Sequence, residues 1–105
     1  MREITETEFT SLTSNGLVVI EFGAEWCGHC KAIAPILIKL SRELDGRLSI
    51  YSVDLDRSPA LAAGQGVMSV PTILVFKGGA VVERAVGAMS EGAFRKKLQP
   101  YLGAA

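Results

Sequence analysis

A chain of 105 residues with eleven basic and eleven acidic side chains has no net charge with which to hold a nucleic acid or an anionic membrane surface. Its length and 49% apolar content suit a single globular domain, residues 1–105, with a hydrophobic core of its own. Two cysteines are too few for the framework of a secreted disulfide scaffold, and no stretch approaches the ~20 apolar residues of a membrane span.

A very short strand at Arg2 to Ile4 can open the chain. Thr5-Glu6-Thr7-Glu8 has capping-box form and starts a short helix that carries Phe9 and Leu12 and ends near Asn15-Gly16. Leu17-Val18-Val19-Ile20-Glu21-Phe22 is an apolar run with one charge, the pattern of a strand covered on both faces. Beyond the cysteines, Ile33, Ile36, Leu37, Leu40 and Leu44 recur at helical spacing until Asp45-Gly46, with Pro35 expected to kink that helix. Leu48 to Val53 reads as a second buried strand. Ser58 as cap and Pro59 at the first helical position then begin a small helix ending at Gly64 or Gly66. Thr72 to Phe76 and Val81 to Val86 form a hairpin about Gly78-Gly79, and Ser90 caps a last helix with Phe94, Leu98, Tyr101 and Leu102. The early alternation of strand and helix implies parallel strands joined by right-handed crossovers, with the hairpin adding an antiparallel edge. The expected architecture is α/β, a mixed central sheet of four to five strands flanked by four helices.

Between the first strand and its helix stands Trp26-Cys27-Gly28-His29-Cys30, which holds every cysteine, tryptophan and histidine in the chain. Side chains three apart on a helix are neighbours, so both sulfurs face the same way at a separation that suits a disulfide. The unpaired N–H groups and positive dipole end of the first turn favour a thiolate there. The pair lies at the carboxyl end of a strand, where open α/β sheets place their sites. A dithiol so placed can cycle between reduced and oxidised forms. An inert buried pair or half a zinc site is the alternative, but the rest of the chain offers no cysteine or histidine to complete four zinc ligands.

Over essentially its whole length the sequence resembles the thioredoxin family. The likeness is carried by Phe22-Gly23-Ala24-Glu25-Trp26-Cys27-Gly28-His29-Cys30-Lys31, Ala34-Pro35-Ile36-Leu37, Asp54-Leu55-Asp56, Ser69-Val70-Pro71-Thr72, Phe76-Lys77-Gly78-Gly79 and Val86-Gly87-Ala88. Cys-x-x-Cys beside a βαβ pattern is itself a recognised redox signature. Four positions depart from the family pattern. His29 replaces the proline usual between the cysteines, Glu21 the buried aspartate, Gly23 a tryptophan after the strand, and Ser52 a lysine near the buried acid. Cys-Gly-His-Cys is the form found in protein disulfide isomerase domains.

The resemblance implies a thioredoxin fold and a thiol–disulfide oxidoreductase that reduces protein disulfides. Cys27, expected to be the more exposed, acts as nucleophile, and the more buried Cys30 resolves the mixed disulfide. Glu21, if buried, has a raised pKa and accepts the proton of Cys30; otherwise it snorkels to the sheet edge. His29, beside Gly28, either stabilises the Cys27 thiolate and raises the potential or is a solvated turn residue. Reference potentials of about −270 mV for thioredoxin and about −180 mV for protein disulfide isomerase bracket the expected value. Pro71 is cis by resemblance, against an ordinary trans proline opening a strand. Trp26, Val70, Pro71 and Gly87 are the expected substrate surface, with Gly64, Gly66 and Met68 as further rim or as turn and packing residues. No metal or bound cofactor is implied, since the cysteine pair carries both electrons. Its reduction falls to an external flavin-dependent thioredoxin reductase, and its partners are disulfide-containing proteins, with no nucleic acid and no membrane. Met1-Arg2-Glu3-Ile4 lacks the apolar run of a signal peptide and Leu102-Gly103-Ala104-Ala105 has no retention signal, so a cytoplasmic monomer is expected. A disulfide oxidant or isomerase, and a non-catalytic thioredoxin-fold binding subunit, are the alternatives.

Overall fold

Every residue of β2 (Leu17–Gly23) is buried, including Glu21, as the unbroken apolar run requires of a strand in the middle of a sheet. The computed structural model describes residues 1–103; Ala104 and Ala105, and with them the end of the expected 1–105 domain, lie outside the described residues. In chain order the remaining elements are β1 (Arg2–Glu3), α1 (Glu6–Thr13), α2 (Gly28–Glu43), β3 (Ser49–Asp54), α3 (Pro59–Gly64), β4 (Thr72–Lys77), β5 (Ala80–Val86) and α4 (Glu91–Leu98). The strands form one mixed sheet in the order β1-β3-β2-β4-β5.

Period-two alternation divides β2 between two cores. Leu17 and Val19 face α2 and α4, packing with Ile33, Leu37, Leu40, Phe94 and Leu98. Val18, Ile20 and Phe22 face α1 and α3, packing with Phe9, Leu61 and Ala62. Parity therefore turns Glu21 toward α2.

The sheet departs from the expected topology at one connection. β3 runs parallel to β2, with α2 as the crossover, but β4 runs antiparallel to β2, so the one reversed strand is the interior β4, and β5, antiparallel to β4, runs the same way as β2. The physical reason lies in α3. Its six residues span about 9 Å, under half the ~20 Å of a six-residue strand, and it does not carry the chain back to the far end of the sheet. β4 therefore starts at the same end at which β2 finishes. Phe22 pairs with Thr72, and one step beyond the ladder Pro71 comes across from Gly23.

Element ends differ from the sequence reading in smaller ways. β3 starts at Ser49 and is only partly buried, because the two-residue β1 covers little of it. α2 continues unbroken through Pro35, which lies on its exposed side. Ser58 holds the cap position of α3, but its hydroxyl oxygen accepts no backbone N–H of the first turn. Instead Asp54 Oδ1 accepts the backbone N–H groups of Asp56 at 2.8 Å and Arg57 at 3.0 Å, organising the turn before the helix. Tyr101 and Leu102 lie beyond α4, which stops at Leu98 as Pro100 withdraws an N–H and the chain tightens into a 3-10 turn over Gln99–Tyr101.

Candidate active site

Cys27 is the N-cap of α2, in extended conformation, and its Sγ accepts the backbone N–H of Cys30 at 3.1 Å. The sulfur thus takes the place usually held by a serine or aspartate oxygen at the positive end of the helix. Cys27 and Cys30 are joined as a disulfide, with Cα atoms 5.3 Å apart. The expected contrast in exposure is absent: Cys27 is 5% and Cys30 6% exposed. Both pack with Ala24 and Val70 in a small apolar cluster, so the two residues differ by position on the helix and not by burial.

Around the pair the chain presents a mixed rim. Trp26 is 66% exposed, and its indole N–H donates to Asp56 Oδ2 at 2.8 Å. Gly28 and His29 are exposed on the first turn, and among the described residues no hydrogen bond ties His29 to Cys27. Nothing lies within 4 Å of where a Gly28 side chain would begin.

Across from the helix the Val70–Pro71 peptide bond is cis and Pro71 is buried. Gly87, at φ 90°, donates its N–H to the Pro71 carbonyl at 2.8 Å, which brings the end of β5 to this edge. Met68 is 93% exposed. Gly64 and Gly66 are turn residues: Gly64 ends α3, and Gly66 takes φ 71° as Val67 N–H returns to the Ala62 carbonyl at 2.9 Å.

Glu21 is 5% exposed, so it does not snorkel to the sheet edge, and its Oε2 has no hydrogen-bond partner. Burial pushes its pKa up to about 7, with the nearby Asp54 charge adding to the rise. Both Glu21 and Cys30 line one cleft of about 460 Å³ beside α2. A Cβ at Gly23 would overlap Glu21 Oε2 and stand 3.1 Å from Cys30 Sγ, so glycine at that position leaves the room that the longer carboxylate occupies. A carboxyl of this kind, neutral or charged near pH 7, can take up a proton from a neighbouring thiol.

Three residues of this site carry no role in the sequence reading: Asp54, Asp56 and Arg57. Asp54 reaches the site because the parallel register sets it beside Gly23, and Asp56 because it holds Trp26. In the sequence Asp54-Leu55-Asp56 is part of the family likeness and Ser58-Pro59 the start of a small helix, but only strand pairing brings the turn between them to the cysteines. Among the described residues no group of three or more histidine, cysteine or acidic side chains converges as a metal site, and no helix is long and apolar enough to cross a membrane.

Comparison with known proteins agrees with this geometry. The sequence model of the thioredoxin family matches residues 1–100. The chain is 42% identical to the thioredoxin of Bacillus subtilis over 98 residues, 93% of this chain and 94% of that one. It is also 42% identical to a Staphylococcus epidermidis thioredoxin over 85 residues, 81% and 82% of the two chains. A solved structure of a mutant thioredoxin from Halobacterium salinarum superposes with a TM-score of 0.88 at 31% identity, covering 99% of this chain and 94% of that one. Likeness of this length in both sequence and fold settles the placement: the chain belongs to the thioredoxin family.

Proposed function

We propose that Cys27 opens each cycle of this protein-disulfide reductase, which works by dithiol–disulfide exchange through its own cysteine pair. The Cys27 thiolate attacks one sulfur of a substrate disulfide, forms a mixed disulfide and expels the other substrate sulfur as a thiolate. Cys30, once deprotonated, attacks the Cys27 sulfur. The Cys27–Cys30 disulfide closes, the second substrate thiol leaves, and two electrons have passed to the substrate. The observation that carries this order is the Cys27 sulfur at the N-cap of α2, accepting the Cys30 N–H at 3.1 Å. A thiolate there is stabilised by a charge-assisted hydrogen bond and by the helix dipole.

Glu21 takes the proton of Cys30. Its burial and its place in the same cleft as Cys30 support this role. Gly28 keeps the sulfurs accessible, and His29 raises the potential by offering a donor or a positive charge to the thiolate. Substrate lies across Trp26, Val70, Pro71 and Gly87, an extended segment pairing with the backbone ahead of β4. The chain works as one domain and as a monomer in the cytoplasm, with disulfide-containing proteins as substrates. An external flavin-dependent thioredoxin reductase restores the dithiol.

His29 favours one second reading, a disulfide oxidant or isomerase, because it stands exposed between the two cysteines in the sequence. Insulin disulfide reduction coupled to a flavin-dependent thioredoxin reductase, with the potential measured on the same sample, separates the two. Turnover with a potential between the reference values of about −270 and −180 mV supports the reductant. A potential above that range without reductase-coupled turnover would favour the oxidant. Partner binding that survives in a Cys27→Ser, Cys30→Ser double variant, without turnover in the parent, would favour a scaffold.

A further inference from the structure

The cleft lined by Glu21 and Cys30 has a densely charged mouth. β1 supplies Glu3, the loop after β2 supplies Glu25, α2 supplies Lys31, the end of β3 supplies Asp54, and the turn beyond it supplies Arg57. One guanidinium engages all three of these carboxylates. Arg57 Nη1 donates to Glu3 Oε1 at 2.8 Å and to Asp54 Oδ2 at 3.1 Å, and Nη2 donates to Glu25 Oε1. Lys31 faces the cleft but makes no ion pair among the described residues.

This arrangement bears directly on the carboxyl at the floor. Asp54 is only 8% exposed, so water and salt screen its charge weakly, and that charge opposes ionisation of Glu21. Each unpaired carboxylate at the mouth would oppose it further. Arginine is suited to offset them, since its charge persists at any working pH and its planar fork can serve several acceptors at once. Ser52, which also lines the cleft, brings no charge.

We propose that Arg57 is a positioning residue of the exchange reaction: by pairing Glu3, Glu25 and Asp54 at the cleft mouth, it keeps Glu21 able to release and accept a proton near neutral pH. The proposal rests on the reading of Glu21 as proton acceptor for Cys30. Arg57 touches neither sulfur and acts only through the charge it offsets.

The test is a carbon-13 NMR titration of the Glu21 carboxyl in the full-length oxidised protein, paired with the pH–rate profile of disulfide reduction. Removing the charge in Arg57→Gln should raise the Glu21 midpoint by about half a pH unit or more, the scale of one charge acting across several ångströms of protein. The rate profile should move alkaline by the same amount with its plateau kept. Arg57→Lys, which keeps the charge, should stay near the parent in both. Adding Asp54→Asn to Arg57→Gln should bring the midpoint back down. A Glu21 midpoint unmoved in Arg57→Gln overturns the proposal, whatever Glu21→Gln does. If the midpoint moves but Glu21→Gln retains the parent rate profile, the proton-acceptor reading is what has failed, and the link from Arg57 to the reaction falls with it.

Discussion

The carboxyl of Glu21 fills the space that a side chain at Gly23 would need, two residues along the same face of β2. These are two of the four positions at which the chain departs from its family's pattern, and the structure shows them to be one departure. A longer acid in the core is matched by a missing side chain beside it.

That coupling is measurable. Gly23→Ala forces the Glu21 carboxyl aside and crowds Cys30, and it should cost about 1–2 kcal/mol in urea unfolding, the usual scale of overpacking. In a Glu21→Asp background, where the acid is one methylene shorter, the same substitution should cost less by about 1 kcal/mol. Additive costs would show that the two positions are independent.

Glu21 should also set how stability depends on pH. Its carboxyl holds a proton more tightly when folded, with a pKa of about 7, than in the unfolded chain, near 4.5. Its contribution is therefore fully present below pH 4.5, declines as pH rises through about 7, and is lost above. The decline is roughly 3 kcal/mol, an upper figure for one buried group. Urea unfolding of the oxidised protein at pH 5 and pH 8 should reveal it, and Glu21→Gln should flatten the difference. An equal slope in that variant would assign the pH dependence elsewhere.

With burial nearly equal at the two cysteine residues, mixed-disulfide trapping becomes the decisive measure of their roles. Cys30→Ser should accumulate substrate bound through Cys27, visible by intact mass and released by reductant. Cys27→Ser should trap little. Trapping through Cys30 in that second variant would reverse the assignment.

His29→Pro should lower the redox potential by on the order of 30–90 mV, toward the thioredoxin reference value, in a glutathione redox titration. Proline is tolerated at this position in the first helical turn, so the fold should survive. A potential within a few millivolts of the parent would leave His29 as a solvated turn residue.

Local periodicity makes most of the elements legible in the chain itself. The unbroken apolar run at Leu17 to Phe22, the helical spacing of Ile33, Leu37 and Leu40, and the Gly78-Gly79 turn each follow from short-range sterics and burial. The capping box also holds, with the Glu8 carboxylate accepting the Thr5 backbone N–H at 3.2 Å. Where two long-range partners compete, the pattern is silent. β4 reads the same whether it runs parallel or antiparallel to β2, because a strand buried on both faces has no alternation to distinguish the two.

The cysteine pair, its spacing and its place at the head of a helix are properties of the sequence itself, since three residues on one helical turn leave the sulfurs no other relation. What stands around that pair is a tertiary matter. The antiparallel register brings Pro71 across from Gly23, and the parallel one brings Asp54 beside it, with Arg57 in the turn beyond. Glu21 is an ordinary carboxylate in the sequence and gains its raised pKa only through burial, and burial is decided by what α2 and the two flanking strands cover. A side chain's chemistry travels with its residue type; its pKa and its neighbours belong to the folded sheet.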